Sequence, residues 1–410
     1  MQNFSTASWS ANKITPMTGS PTSREFFSAL ESLRGIAALG VVIFHVAWTF
    51  PLYDMTLIRN GYLMVDFFFV LSGFVICHSY GTRLATGRDV AEFIWIRLGR
   101  LYPLHLTLLF VFLGIEIAKY IAERNYGLVA NKGAFTSNNT FSFLSNLLLI
   151  QALGFHEKAT YNLPAWSIST EFYTYILFAT ILVLLRTRVA VLSMSAALIL
   201  ASVALDSGGL THNVFRCIEG FFAGVIACHF YAALSQRPFS TSRCEWYTHL
   251  PGLLSCAGLI IFLSMKDATG PDVLALPLFA VLIVSIAATP KGFLSTILGI
   301  APLAWIGKVS YSVYMVHVAV IWSFSQVLRV ALQTPQMIDV NGEPLLTPHP
   351  LAGALFLAAA VGATLVLSHL TYTYIEDPYR KKSKTLAEQW FFPPTPIARG
   401  SVDESSKISL

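Results

Sequence analysis

Residues 30–50 read LESLRGIAALGVVIFHVAWTF. The stretch is long and apolar enough to cross a bilayer, yet it carries Arg34 near one end and His45 near the other. An ionisable side chain at that depth costs about 3 kcal/mol, so two of them call for a reason. Eleven steps of about 100° come within about 20° of three whole turns. Both side chains are therefore expected to share one helix face, about 16 Å apart along the axis. A fixed cation then lies near one surface and a titratable base near the other.

The rest of the chain fits a membrane setting. Of 410 residues, 55% are hydrophobic and 12% charged, where soluble domains average about 25% charged. This composition predicts an all-α, polytopic integral membrane protein. The net charge is +5, but the basic residues cluster between apolar runs, so they are topology signals rather than a nucleic-acid surface. The five cysteines are odd in number and no pair has metal-ligand spacing. Cys77, Cys217, Cys228 and Cys256 fall in apolar segments and Cys244 in a loop, and all are expected to be reduced, with no metal site. Residues 1–24 are polar and lack the apolar core of a secretory signal, so the first anchor is expected to be the opening helix itself.

Apolar segments recur near 30–50, 61–80, 99–122, 141–153, 165–186, 189–205, 212–233, 249–265, 272–289, 309–333 and 351–376. The segment 141–153 is too short to span comfortably, which leaves about ten transmembrane helices. With both termini cytoplasmic, the inner connections hold Arg83, Arg88, Arg97 and Arg100, then Arg186 and Arg188, then Arg237 and Arg243, then Lys291 and Lys308, and the tail holds Arg380, Lys381, Lys382 and Lys384. The outer connections around Asp206 and over 335–350 hold no Lys or Arg, and the long outer region 123–164 balances its cations with Glu123 and Glu157. If 141–153 spanned, the basic tail would lie outside, so that segment is expected to lie along the membrane or dip into it. The expected organisation is a polar cytoplasmic tail over 1–27, a membrane domain over 28–380, and a tail over 381–410 that begins basic and is disordered from 385.

Counting from helix ends places His45, Asp66 and Glu171 all about 7–9 Å below the outer end. A histidine with carboxylates at one depth can be a base with an orienting partner. Asp66 is balanced between that role and a structural pairing at its helix start. Glu171 favours function, because Trp166, Ser167 and Ser169 crowd the same turn and mark the acceptor side. At the inner side, Arg97 and Arg100 in RLGR lie three apart on one helix face and can clamp phosphate, with Arg34 joining them. Plain positive-inside anchoring explains most such arginines and stands as the alternative. Tyr311, Tyr314 and His317 form a stripe of period three, which packing alone can explain, while Lys308, Ser310 and Tyr311 can also meet an anion. His78, His105, His229 and His369 have no paired context. The pattern is an inner anion site and an outer base joined by a passage, as an enzyme with a phosphorylated cytosolic donor and an outer acceptor needs.

Here the sequence resembles the acyltransferase family 3 membrane proteins, which include O-acetyltransferases of bacterial surface polysaccharides. The resemblance covers roughly residues 28–380. LRGIAALGVVIFH is similar to the family's arginine–histidine motif, on Arg34 and His45; VDFFFVLSGFVI to its second-helix block; RLGR to its paired-arginine motif, on Arg97 and Arg100; WSISTE to its Trp–Ser–Glu block, on Trp166, Ser167 and Glu171; GKVSYSVYMVH and YIEDPYR to its closing blocks. The resemblance implies a ten-helix domain in the bacterial inner (plasma) membrane with no permanently bound cofactor. Acyl-CoA, with acetyl-CoA the expected donor, would be its cytosolic substrate. The acceptor would be a hydroxyl of an outer sugar, glycolipid, exopolysaccharide or lipopolysaccharide. Some members carry an extra hydrolase-like domain; this chain is expected to work with the membrane domain alone.

On that reading His45 is the expected general base, Glu171 or Asp66 its partner, and Arg34, Arg97, Arg100, Lys308 and Tyr311 the acyl-CoA site. An acyl-histidine intermediate is the rival chemistry. The alternative function is a membrane transporter of a small anionic metabolite or glycan precursor, which charges at two depths also suit; the sequence has no inverted repeat to favour it.

Overall fold

The structure, a computed structural model, describes residues 22–127, 133–206, 208–209, 211–235, 246–266, 271–339, 342 and 344–391. Cys244 and residues 392–410 lie outside that set. The described chain is helical apart from its connections and one small hairpin. Its helices are α1 (Thr22–Phe44), α2 (Thr56–Arg59), α3 (Met64–Tyr80), α4 (Gly87–Tyr126), α5 (Thr140–Leu147), α6 (Ala165–Leu184), α7 (Arg188–Leu205) and α8 (His212–Ser235). They continue as α9 (Trp246–Met265), α10 (Ala275–Ala288), α11 (Phe293–Leu298), α12 (Ala301–Lys308) and α13 (Ser310–Gln326). The hairpin pairs β1 (Gln336–Ile338) antiparallel with β2 (Pro344–Leu346), and α14 (Pro350–Thr371) and α15 (Asp377–Phe391) follow.

Each of the ten stretches expected to span contains one of these helices. Seven helical runs are long and apolar enough to cross a membrane, and Leu250–Met265 and Asp272–Ala288 are shorter apolar helices. The segment near 141–153 forms only the eight-residue α5 and turns. Two expectations need correction. The first helix stops at Phe44 rather than running to Phe50, because the chain beyond it is taken by the hairpin: Trp48 bridges to Leu346, and Thr49 N donates to Leu346 O at 2.9 Å. The buried Trp48 indole then donates to Gly353 O at 3.1 Å. The tail is also ordered further than expected. It is helical to Phe391, where α15 lies along the start of α4, with the Trp95 indole donating to Ser383 O at 3.0 Å and meeting the Trp390 ring at a tilt of 52°.

Close helix crossings position the site. Helices α3 and α8 touch backbone to backbone: a Cβ at Gly73 would sit 1.9 Å from Phe221 O, and one at Gly224 would sit 2.0 Å from Val70 O. Small residues at such crossings let van der Waals packing replace the hydrophobic effect, which is absent between helices in lipid. The α1–α12 crossing is similar, since a Cβ at Gly307 would meet Glu31 O at 2.3 Å. That contact lies one turn from Arg34 and fixes its approach to the core. Helix α4 opens with a capping box, in which the Thr86 hydroxyl accepts from Asp89 N and the Asp89 carboxylate accepts from Thr86 N. The four free cysteines, Cys77, Cys217, Cys228 and Cys256, form no disulfide, and no metal-ligating cluster occurs among the described residues.

Candidate functional site

A cavity among the helices holds about 790 Å³ of empty space, its open mouth included. Arg34 of α1, Arg97 and Arg100 of α4, Glu171 of α6 and Tyr311 of α13 all line it. Among the described residues, none of the three guanidiniums makes a hydrogen bond or ion pair with a side chain or carbonyl. Arg97 is instead held by aromatic faces, 5.1 Å from the Tyr80 ring, 5.5 Å from Phe93 and 5.8 Å from Tyr175, and its buried Nε has no partner. The buried Ser310 hydroxyl, also in the wall, has none either. Three cations facing one carboxylate leave the cavity with an excess of positive charge and unspent donors, which suits an anion with several oxygens.

Glu171 is not tied to those cations by contact. Its Oε1 accepts from the Ser72 hydroxyl at 2.6 Å and from the Tyr175 hydroxyl, and those two hydroxyls lie 2.9 Å apart. Tyr175 follows Glu171 by one turn, so this pair was visible in the spacing; Ser72 comes from another helix and was not. Glu376, in the π-helical stretch Tyr372–Glu376 that carries α14 into α15, accepts from Ser312 at 2.8 Å and lies within electrostatic reach of Arg34 and Arg100. Lys308 does not line the cavity; its ammonium sits 5.2 Å from the Tyr372 ring. Tyr311 does, while donating to Leu101 O at 2.5 Å.

His45 lies one residue past α1 and does not line this cavity. The structure brings neither expected carboxylate to it. Asp66 is gripped in a fork by Arg216, with Nε 3.1 Å from Oδ1 and Nη2 2.5 Å from Oδ2, and Arg216 packs over Tyr62 and Trp166. Of the two readings of Asp66, this geometry fits the structural one.

The partner of His45 is His317. Backbone carbonyls fix both tautomers, because a carbonyl only accepts. His317 Nδ1 must donate to Tyr314 O at 2.6 Å, which leaves its Nε2 a bare acceptor. His45 Nδ1 must donate to Val41 O at 2.9 Å, and it also faces His317 Nε2 at 3.2 Å. His45 Nε2 therefore carries the lone pair, and it has no partner among the described residues. The stripe of Tyr311, Tyr314 and His317 thus runs from the cavity wall to His45. The stripe was legible in the sequence; its contact with His45 was not.

Trp166, Ser167 and Ser169 part company. Ser167 lines the cavity and accepts from the Tyr314 hydroxyl at 2.9 Å while donating to Pro164 O at 3.1 Å. Ser169 is fully buried and latches the loop before α6, donating to Leu149 O at 2.5 Å and accepting from Ala152 N at 3.3 Å. Trp166 faces a second, smaller pocket with Gln151, Asn162 and Asn213.

A family model described as an acyltransferase domain matches residues 27–372. The chain belongs to that acyltransferase family. Among curated relatives, the chain is similar to YrhL of Bacillus subtilis, named as a candidate peptidoglycan O-acetyltransferase, at 24% identity over 386 residues, 87% of this chain and 55% of that protein. It is similar at 24% identity over 383 residues to a candidate O-acetyltransferase of Staphylococcus aureus, covering 87% of this chain and 58% of that one. The peptidoglycan O-acetyltransferase OatA of Listeria monocytogenes is 21% identical over 381 residues, 88% of this chain and 56% of its own. The chain thus spans somewhat over half the length of these relatives. No solved structure matches.

Proposed function

We propose that this chain is a membrane O-acyltransferase that moves an acyl group, with acetyl the expected one, from cytosolic acyl-CoA to a hydroxyl of an extracytoplasmic glycan. The observation that carries this reading is the convergence of Arg34, Arg97 and Arg100 on one cavity without carboxylate partners. The phosphates of CoA supply the anion such a cluster fits, as charge-assisted and bidentate hydrogen bonds to guanidinium are the strong ones. The acceptor is a sugar, polysaccharide or glycolipid, and the relatives named for peptidoglycan favour a cell-wall glycan. The basic connections support a reading with the arginine end and both termini in the cytoplasm of a plasma-membrane enzyme of about ten spans.

In this reading His45 Nε2 takes the proton of the acceptor hydroxyl as its oxygen attacks the thioester carbonyl. The new C–O bond forms, the C–S bond breaks, and the proton passes from His45 to the departing thiolate. The Val41 carbonyl takes the Nδ1 hydrogen and so keeps the lone pair on Nε2, while His317 Nε2 faces the same Nδ1 and orients the ring. Phe68 and Tyr314 line the same cavity and meet edge to face with ring centroids 5.7 Å apart, so the acyl arm runs against aromatic walls. Glu171, with Ser72 and Tyr175, is a polar fixed point along the arm of the donor.

The test is thiol release from acetyl-CoA by purified protein given a glycan acceptor, with transfer followed by mass spectrometry. An acyltransferase releases thiol only as acyl mass appears on the acceptor. A transporter releases none, and that outcome sinks this reading.

A further inference from the structure

The arginine cavity is layered along its length. Ser72 of α3 and Glu171 of α6, joined at 2.6 Å, mark a middle level. One turn further along α6, Tyr175 lies 5.8 Å from the Arg97 guanidinium, which puts that cation on one side of the level. About one turn back along both helices the wall changes character. There Phe69 meets Trp166 with ring centroids 6.0 Å apart, and Phe68 meets Tyr314 of α13 at 5.7 Å and 80°. The lining on that side is Val65, Phe68, Phe69, Ser167, Ile168 and Tyr314, and none of it is charged. Its two hydroxyls are spent: Tyr314 donates to Ser167 at 2.9 Å, and Ser167 donates to Pro164 O at 3.1 Å.

One cavity thus has an end rich in guanidinium and an apolar end. Val65 and Ser72 are seven residues apart on α3, so the apolar end is about 10 Å deep. It also adjoins the histidine pair. The Tyr314 ring lines the cavity and lies 5.8 Å from the His317 ring, whose Nε2 faces His45. Two rings in edge-to-face contact leave no space between them for a chain. Tyr314 is 6% exposed and held by its hydroxyl, so it braces Phe68 from behind.

We propose that the apolar end is the acyl pocket of the donor, and that Phe68, braced by Tyr314, limits the donor to short acyl groups. The assignment rests on the acyl-CoA reading: phosphates at the arginines direct the acyl end toward the aromatic pair. An acetyl group fits in front of the rings, and each added methylene presses on them. One methylene in an apolar pocket discriminates about 10- to 200-fold. The test is calorimetric titration of the full chain in detergent with CoA, acetyl-CoA, butyryl-CoA and hexanoyl-CoA. The wild type should bind acetyl-CoA at least about tenfold more tightly than hexanoyl-CoA. Phe68→Ala should reduce that preference at least about tenfold, and the milder Phe68→Val should reduce it in part. Tyr314→Phe keeps the ring and should leave the preference as it is. Arg97→Ala should weaken every thioester by one common factor. Affinity for hexanoyl-CoA equal to or above that for acetyl-CoA in the wild type overturns the pocket and leaves the donor site standing. So does a preference that neither Phe68 variant moves. Failure of CoA and all three thioesters to bind overturns the donor reading, and the pocket with it.

Discussion

His317 Nε2 lies 3.2 Å from His45 Nδ1, and the two rings meet with their centroids 5.0 Å apart. Backbone carbonyls on α1 and α13 fix the hydrogens of this pair, so the contact orients one imidazole through the other. His317→Ala should lower kcat by about 10²-fold, the lower end of what a positioned base contributes. KM for the acyl donor should stay unchanged, since His317 does not line the arginine cavity. His317→Gln, which can still accept from His45, should recover part of the loss. Steady-state kinetics on purified variants separates kcat from KM.

Arg97 and Arg100 contribute donors to one cavity from neighbouring turns of α4. Removing one charge-assisted hydrogen bond costs about 1.5–3 kcal/mol, so Arg97→Ala should raise the Kd for acetyl-CoA by about 10- to 100-fold. Arg97→Lys should recover little, because the cradle of Tyr80, Phe93 and Tyr175 fits a planar group. Calorimetric titration with acetyl-CoA reads the difference directly, and rising salt should weaken the wild-type affinity.

Asp66 and Arg216 form a buried, forked ion pair, 3% and 9% exposed. Truncating one partner strands the other, at a cost of about 3–5 kcal/mol. Arg216→Ala should therefore lower the thermal midpoint in detergent sharply. Asp66→Leu combined with Arg216→Met should restore much of that stability, because it removes both charges together.

Gly224 lies with its α-carbon against the α3 backbone. Neither Val70 O nor Phe74 N can retreat without breaking its helix, so Gly224→Val should abolish accumulation of folded protein in the membrane. Exposed Gly362, with open space where a Cβ would stand, should accept alanine without loss. Size-exclusion chromatography of detergent extracts distinguishes the two.

Topology can be read with single reporters in a Cys244→Ser background. Ser137→Cys, in the exposed loop before α5, should react with a membrane-impermeant maleimide on intact cells. Lys382→Cys, on the exposed face of α15, should react only after the membrane is opened.

The sequence by itself determined the helices and the candidate polar groups. Hydropathy and helical periodicity act within one segment, so the apolar stretches, the basic connections and the RLGR pair were all legible. So was the shortness of 141–153. Arg34, Arg97, Arg100, Glu171 and Tyr311 could be nominated one by one for the same reason: each is a polar group in an apolar segment. Tertiary structure alone decided who meets whom. His45 finds His317 across 272 positions and Asp66 finds Arg216 across 150, distances over which no periodicity carries. Depth counting put His45, Asp66 and Glu171 at one level, but level says nothing of azimuth, and the packing turned each toward a different neighbour. The end of the first helix was likewise settled from outside, by a hairpin three hundred residues away that pairs with Trp48. The polar amides of Gln151 and Asn162 carried no signal at all. The fold buries both, spends their N–H groups on backbone carbonyls, and leaves their oxygens without donors.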